Sequence, residues 1–367
     1  MNNNKKPTFI DLFAGAGGLS VGIEQAGFKP LAATDWDHWS CETLRANHRE
    51  MVIHEGDITS INLKEFSKQI STKTVDLIVG GPPCQGFSQL GKQKKDDPRN
   101  QMWREYMRFV AFFKPKVFLM ENVPQLLTSD EFPSIKKAAE DLGYKVKEKV
   151  LHAVEYGVPQ KRKRAIIFGS RIGMPNHPKP THTNPIEFNL LSGHLKPWAT
   201  VKDAIGDLSL EPTGKDWHIG RNPTPTSLKR YKSIPPGGNR FDLPVALTPD
   251  CWKRKKTGST DVFGRLKWDA PSLTIRTEFF KPEKGCYLHP QAHRPITIRE
   301  AARLQTFPDK YVFIGSNVQV AKQIGNAVPC RLAYAVGKEL FQFLNPSTYS
   351  VQNEAVDRLT SLQRQLA

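Results

Sequence analysis

FIDLFAGAGGLSVGIEQAGF, residues 9–28, has the pattern of a strand, a glycine-rich turn and a helix in succession. The apolar run ends at Phe13, the turn carries Gly15, Gly17 and Gly18, and an amphipathic helix is predicted from near Leu19. Glycines at such a turn let a ligand approach the backbone at the helix N-terminus. Nucleotide, flavin and S-adenosylmethionine folds all use the arrangement. The next strand pattern, residues 30–34, ends at Asp35, where a carboxylate can accept both hydroxyls of a ribose. Read alone, Asp35 serves equally well as a helix N-cap. Trp36 beside it offers a ring face for an adenine.

Further along, VGGPPCQGFSQLG (residues 79–91) sets Cys84 behind Pro82 and Pro83, directly after the apolar strand pattern of residues 75–79. A thiol held by two stiff prolines at the carboxyl end of a strand is placed like a nucleophile. From this window alone, a small buried hydrophobe is an equal reading.

Strand and helix patterns alternate to about residue 170. Strands are predicted over residues 9–13, 75–79, 117–120 and 165–168, with helices over 41–47, 102–113 and 134–142. Such alternation implies an α/β fold with a parallel-rich, Rossmann-like sheet covered on both faces. Residues 171–267 are rich in proline and glycine, net basic and weakly periodic. A linker of that composition would be disordered. Trp198, Trp217, Tyr231, Phe241, Trp252 and Phe263 instead predict a smaller, irregular, mostly β or loop domain. The helical pattern resumes at Ile298, and residues 331–344 read as a long helix.

The chain has 367 residues, with 53 Lys and Arg against 36 Asp and Glu, a net charge of +17 that suits a polyanionic partner. Its five cysteines form no CxxC pair, which argues against a disulfide framework or a structural zinc site and predicts no metal. The opening residues lack a signal-peptide core and no stretch approaches a membrane span, so a cytoplasmic protein with a free Cys84 thiol is expected.

These windows resemble the cytosine-C5 DNA methyltransferase family, of the bacterial restriction-modification type. The remaining family blocks follow in order: DPRN at 97–100, ENV at 121–123, QKRKR at 160–164, WDAPSLTIRTE at 268–278 and QIGNAVP at 323–329. The resemblance implies an S-adenosylmethionine-dependent methyltransferase sheet over residues 1–173 and a target-recognition domain over 174–290. A hinge at 291–317, a returning helical segment at 318–345 and a polar tail at 346–367 complete the expected organisation. It also implies transfer of a methyl group to C5 of a flipped-out cytosine in a specific double-stranded DNA sequence, through a covalent bond from Cys84 to C6.

By the same resemblance, Glu121 is the carboxyl that meets cytosine N3, and Arg164 steadies the cytosine O2 together with Glu121. Arg162 is expected to contact phosphate or to position its neighbours; surface basic residues are the plainer alternative for the pair. Phe13, Gly15, Gly17, Gly18, Asp35, Trp36, Asp57, Ile58, Pro83 and Asn326 match S-adenosylmethionine pocket positions. Asn326 is expected after Gly325 in a tight turn.

Residues 85–100 look like a mobile loop that closes over DNA, with Gln85, Ser88, Lys92 and Arg99 as DNA contacts; a solvated charge run is the plainer reading of its lysines. Arg221, Arg240 and Arg254 are candidates for reading guanine in the groove, phosphate contact being the commoner fate of an interface arginine. A monomer is expected, with a cognate restriction endonuclease acting separately. The tRNA cytosine-5 methyltransferase branch shares the PPCQ and ENV blocks. It typically carries a CFT tripeptide, which this sequence lacks.

Overall fold

The computed structural model describes residues 6–72, 74–83, 102–186, 194–254 and 259–346. Cys84, Gln85, Ser88, Lys92 and Arg99 lie outside the described residues.

A seven-stranded sheet forms the centre, built from β1 (Thr8–Leu12), β2 (Lys29–Asp35), β3 (Val52–Glu55), β4 (Leu77–Gly80), β5 (Val117–Asn122), β6 (Lys145–His152) and β7 (Lys163–Ser170). Their spatial order is β3-β2-β1-β4-β5-β7-β6. Pairing is parallel from β3 to β5, while β7 runs antiparallel between β5 and β6. Strict alternation along the strands makes this a two-faced sheet. Ile10, Leu12, Ile78, Phe118, Met120 and Ile167 pack into one cluster with α3 (Leu63–Gln69), α4 (Met102–Phe113) and α5 (Glu131–Asp141). Phe9, Leu77, Val79, Val117, Leu119, Ile166 and Phe168 face the other way. There they meet α1 (Gly18–Gln25), α2 (His38–Asn47) and the long α11 (Cys330–Leu344). Each such fully buried side chain contributes about 1.5–3 kcal/mol.

Helix α11 lies against the first lobe of the chain. It packs on α1 so closely that a Cβ at Gly22 would lie 2.5 Å from the Cys330 carbonyl oxygen, and one at Gly337 would lie 2.9 Å from Ala26 Cβ.

The segment after β7 is irregular. It holds the two-residue strands β8 (His182–Thr183), β9 (Lys196–Pro197) and β10 (Gly264–Arg265), the short β11 (Cys286–Leu288), and the short helices α6 (Val201–Ile205), α7 (Pro225–Ser233) and α8 (Asp250–Lys253). Loop, rather than β, dominates it among the described residues. Its small core is Tyr231, Ile234, Leu243, Phe263 and Leu288. Buried Arg265 supports that core from within, donating to the carbonyls of Ile234 (2.7 Å), Tyr231 (2.5 Å), His289 (2.6 Å) and Ala292 (3.0 Å). A guanidinium satisfies four carbonyls where no regular ladder does so.

A larger third cluster joins α6 to α9 (Ile298–Leu304) and α10 (Asn317–Asn326) and reaches Ala16 and Val21 of the first lobe. At its heart Glu300 is fully buried and gripped by Arg294 through two 2.8 Å bonds, closing a capping box with Thr297. Burial alone would raise the Glu300 carboxyl, yet Arg294 and His218 hold it down at about 2. Residues 291–317 thus include the well-packed α9. Gly325 and Asn326 occupy the last turn of α10 and not a separate tight turn. Gly325 there sits against the Arg276–Thr277 backbone, only 2.4 Å from where a Cβ would point. No helix among the described residues is long and apolar enough to cross a membrane.

Candidate active site

The carboxyl ends of β1, β2, β4 and β5 converge, as expected for a ligand crevice in an open parallel sheet. Two clusters of polar groups meet there.

The first surrounds the glycine turn. Asp35, at the end of β2, accepts the Gly15 N–H at 2.7 Å through one oxygen and the Asp37 N–H at 2.9 Å through the other. The N-cap of α2 is Asp37, which accepts from the Ser40 N–H at 2.9 Å, so Asp35 is not the cap. Burial lifts the Asp35 carboxyl above its ordinary value against the pull of those backbone donors. Phe13 adopts a left-handed conformation (φ 57°), a strain of the kind that collects at functional sites. A Cβ at Gly15 (φ 53°) would meet nothing within 4 Å, so the turn has open space before it. Gly17 and Gly18, by contrast, are walled in, Gly18 by the Val328 carbonyl.

Trp36 is 80% exposed beside this opening. Asp57 follows β3; the Thr59 N–H, 2.9 Å away, holds its carboxyl below the usual range. Ile58 next to it is buried. Asp11 sits beneath, fully buried, bonded to Ser20 Oγ at 2.6 Å by one oxygen, with no partner for the other among the described residues. Burial pushes its carboxyl up to about 7.

The second cluster lies at the ends of β4 and β5. Glu121 and Arg164 form a largely buried ion pair, Nε to Oε1 2.7 Å, across the antiparallel register that brings β7 beside β5. Burial lowers the Arg164 pKa, and Glu121 opposes that shift. A Cβ at Gly81 would lie 2.9 Å from Glu121 Oε2, so the backbone at Gly81 passes close to the carboxylate. Asn122 Nδ2 donates to the Pro82 carbonyl at 2.9 Å and pins that backbone. Asn122 stands in the ENV block, which marks the position but not this contact.

Arg162 is 3% exposed and donates to the carbonyls of Ile275 and Gly325, both at 3.1 Å. This corrects the phosphate-contact expectation, because so buried a guanidinium presents no face to DNA. Gln160, wholly buried, continues the clasp: its Oε1 accepts the Ile275 N–H at 2.9 Å and its Nε2 donates to Gln305 Oε1 at 2.9 Å. Together these residues tie the start of β7 to the segment before β11 and to the ends of α9 and α10. Exposed Asn326 lies at that junction, and Pro83 is the last described residue before Cys84.

Of the recognition candidates, Arg221 and Arg254 are exposed, Arg221 lying over the Phe280 ring and donating to its carbonyl at 3.1 Å. Arg240 is 8% exposed and lies over the Phe241 ring, 4.6 Å from its centroid. Its burial in the capping-box turn of Asn239 and Asp242 corrects the expectation that it faces a groove.

Comparison with known proteins accords with this geometry. The type II methyltransferase M.PspPI of Psychrobacter sp. is 39% identical over 94% of this chain and 81% of its own. M1.HphI of Haemophilus parahaemolyticus is 36% identical over 91% of this chain and 87% of its own. A solved structure from E. coli, described as a prophage-encoded DNA modification methyltransferase, superposes with a TM-score of 0.70 at 26% identity, covering 93% of this chain and all of that one. The sequence profile of C-5 cytosine-specific DNA methylases matches residues 7–342, and the chain belongs to that family as a DNA cytosine-5-methyltransferase.

Proposed function

We propose that this chain is the modification enzyme of a type II restriction-modification system. In this reading it methylates C5 of a flipped-out cytosine within a specific duplex sequence, using S-adenosylmethionine and a covalent Cys84 adduct. The observation that carries the reading is the Glu121–Arg164 pair at 2.7 Å, under the backbone that leads into Cys84. Cys84 follows Pro83 directly in the chain.

The glycine turn fits the methyl donor. Open space lies before Gly15, an aromatic ring stands exposed at Trp36, and a carboxylate at Asp35 is held by two backbone donors. Phe13, Gly15, Asp35, Trp36, Asp57, Ile58, Pro83 and Asn326 would hold it. Bound there, S-adenosylmethionine supplies an electrophilic methyl group.

The chain's own residues prepare the nucleophile. Cytosine C5 is weakly nucleophilic, and addition of the Cys84 thiolate to C6 converts the ring to an enamine that attacks from C5. Glu121 faces N3, where charge builds during that addition; its Oε1 is held by Arg164 Nε at 2.7 Å, and in the protonated form of the closed site the acid donates its proton to N3. Arg164 orients Glu121 and meets the cytosine O2. A water then takes the C5 proton, the freed electron pair forms the C5–C6 double bond, and the thiolate leaves C6. Burial at this depth excludes water and strengthens both interactions. The base must leave the duplex stack to reach the site, at a cost of a few kcal/mol.

Incubation of the purified chain with tritiated S-adenosylmethionine tests the activity. Label should enter duplex DNA and not tRNA, and bisulfite sequencing of DNA from expressing cells should show one short methylated sequence. Label confined to tRNA would replace this reading.

The pocket has its own test. Asp35→Ala should weaken cofactor binding by about 1.5–3 kcal/mol, the scale of hydrogen bonds to a charged group. DNA affinity without cofactor should hardly change. Unchanged cofactor affinity by calorimetry would remove Asp35 from the pocket.

Sequence specificity is assigned to the irregular region, because recognition residues gather on loops carried by a rigid scaffold. Exposed Arg221 and Arg254 are the candidates there, each good bidentate contact to guanine discriminating by about 1–3 kcal/mol. Exchanging residues 174–263 for those of a relative with a different site should transfer the donor's methylated sequence. Retention of the parent sequence would place the reader elsewhere.

A further inference from the structure

The glycine turn is held from behind as well as in front. Tyr311, between α9 and α10, lies 295 residues along the chain from Ala16, yet its Oη donates to the Ala16 carbonyl at 2.8 Å. Both Tyr311 and His48 are buried, at 6% and 7% exposed. His48 Nε2 is 3.3 Å from the same hydroxyl, and His48 Nδ1 lies 2.6 Å from Glu24 Oε1 on α1, a close charge contact without hydrogen-bond alignment. The tyrosine ring is fixed by Phe307 and Phe313, with centroids at 5.1 and 5.4 Å.

These groups press against the turn. A Cβ at Gly17 (φ 78°) would lie 2.7 Å from Tyr311 Oη and 3.3 Å from His48 Nε2, so position 17 has room only for hydrogen. The Ala16 carbonyl belongs to the same peptide unit as the Gly17 N–H, which itself bonds the Ala14 carbonyl at 3.0 Å. A hydrogen bond to that carbonyl therefore fixes the plane of the peptide directly beside Gly15, whose N–H is committed to Asp35.

We propose that Tyr311, backed by His48 and Glu24, is a positioning residue for the methyl donor. It holds the Ala16–Gly17 peptide so that the turn presents a preformed backbone to the cofactor. The inference rests on reading the glycine turn as the S-adenosylmethionine pocket. Preorganisation of this kind appears in affinity for the ligand that the turn meets and not in the chemical step.

Tyr311→Phe keeps the ring packing and removes only the donor. In the full-length protein, calorimetric Kd and kinetic KM for S-adenosylmethionine should rise about 3–10-fold, the loss expected of one hydrogen bond. The kcat at saturating cofactor should stay within about twofold, and DNA affinity without cofactor should not move. Glu24→Gln, at a partly exposed position, should shift KM in the same direction by less. The double variant should fall short of the product of the two, because the groups form one network. An unchanged KM in Tyr311→Phe while Asp35→Ala weakens binding would overturn this proposal alone. Equal losses in kcat and DNA affinity would make Tyr311 a general structural residue. If neither variant alters cofactor affinity, the pocket reading falls and the proposal with it.

Discussion

Cys84→Ser should abolish methylation while leaving S-adenosylmethionine binding near normal. The reacting species is a thiolate, and a serine hydroxyl at the same place would hold almost no alkoxide near neutral pH. Without addition to C6, cytosine C5 stays too weak a nucleophile to take the methyl group. The substitution removes one polarisable atom and leaves the cofactor turn, with its Asp35–Gly15 bond, untouched. Single-turnover transfer of tritium to duplex DNA measures the loss, with calorimetry for the cofactor alongside. Methylation at the wild-type rate would remove Cys84 from the mechanism.

Glu121→Gln should lower the methylation rate about 10²–10⁴-fold, the range of positioned acid–base catalysis. Glutamine preserves the shape and can still accept from Arg164 Nε, so the 2.7 Å contact survives as a neutral hydrogen bond. What disappears is a proton that can be passed to cytosine N3 as charge develops. Binding of duplex DNA and of cofactor should change little by comparison, so the loss should fall on kcat. A variant rate within a factor of a few of wild type would return Glu121 to a purely structural role in the ion pair.

Five strands of the central sheet were legible as apolar runs that need no distant information, while β3 and the largely polar β6 were not. Phe118 and Met120 fall to one face and Val117 and Leu119 to the other, as the apolar run of ENV's preceding strand implies. Helix α4 begins and ends where its amphipathic pattern does. Block order also led to the convergence of Glu121 and Arg164, since both stand at strand ends that β5–β7 pairing brings together.

Contacts made across hundreds of residues left no local trace. Arg162 looks like any basic surface residue in QKRKR until Ile275 and Gly325 close over it. Arg240 is a basic residue in a glycine-rich loop whose side chain the fold nevertheless buries, over the Phe241 ring. Asn326 reads as a turn after glycine, yet helix α10 runs through it because Gly325 allows the Arg276–Thr277 backbone to approach. Tyr311 and His48 belong to no block with an obvious chemical signature, and the contacts of Tyr311 with Ala16 and His48 exist only after the C-terminal segment packs on the first lobe.

The mechanism turns on a covalent bond between the enzyme and its target base, and trapping that bond tests it most directly. Duplex DNA carrying 5-fluorocytosine at the methylated position, mixed with the enzyme and S-adenosylmethionine, should give a stable protein–DNA complex, because fluorine cannot leave C5 as a proton does. Peptide mapping should place the modified base on Cys84, and Cys84→Ser should form no complex. A fluorinated duplex that is bound without any covalent product, or an adduct on another residue, would contradict the mechanism.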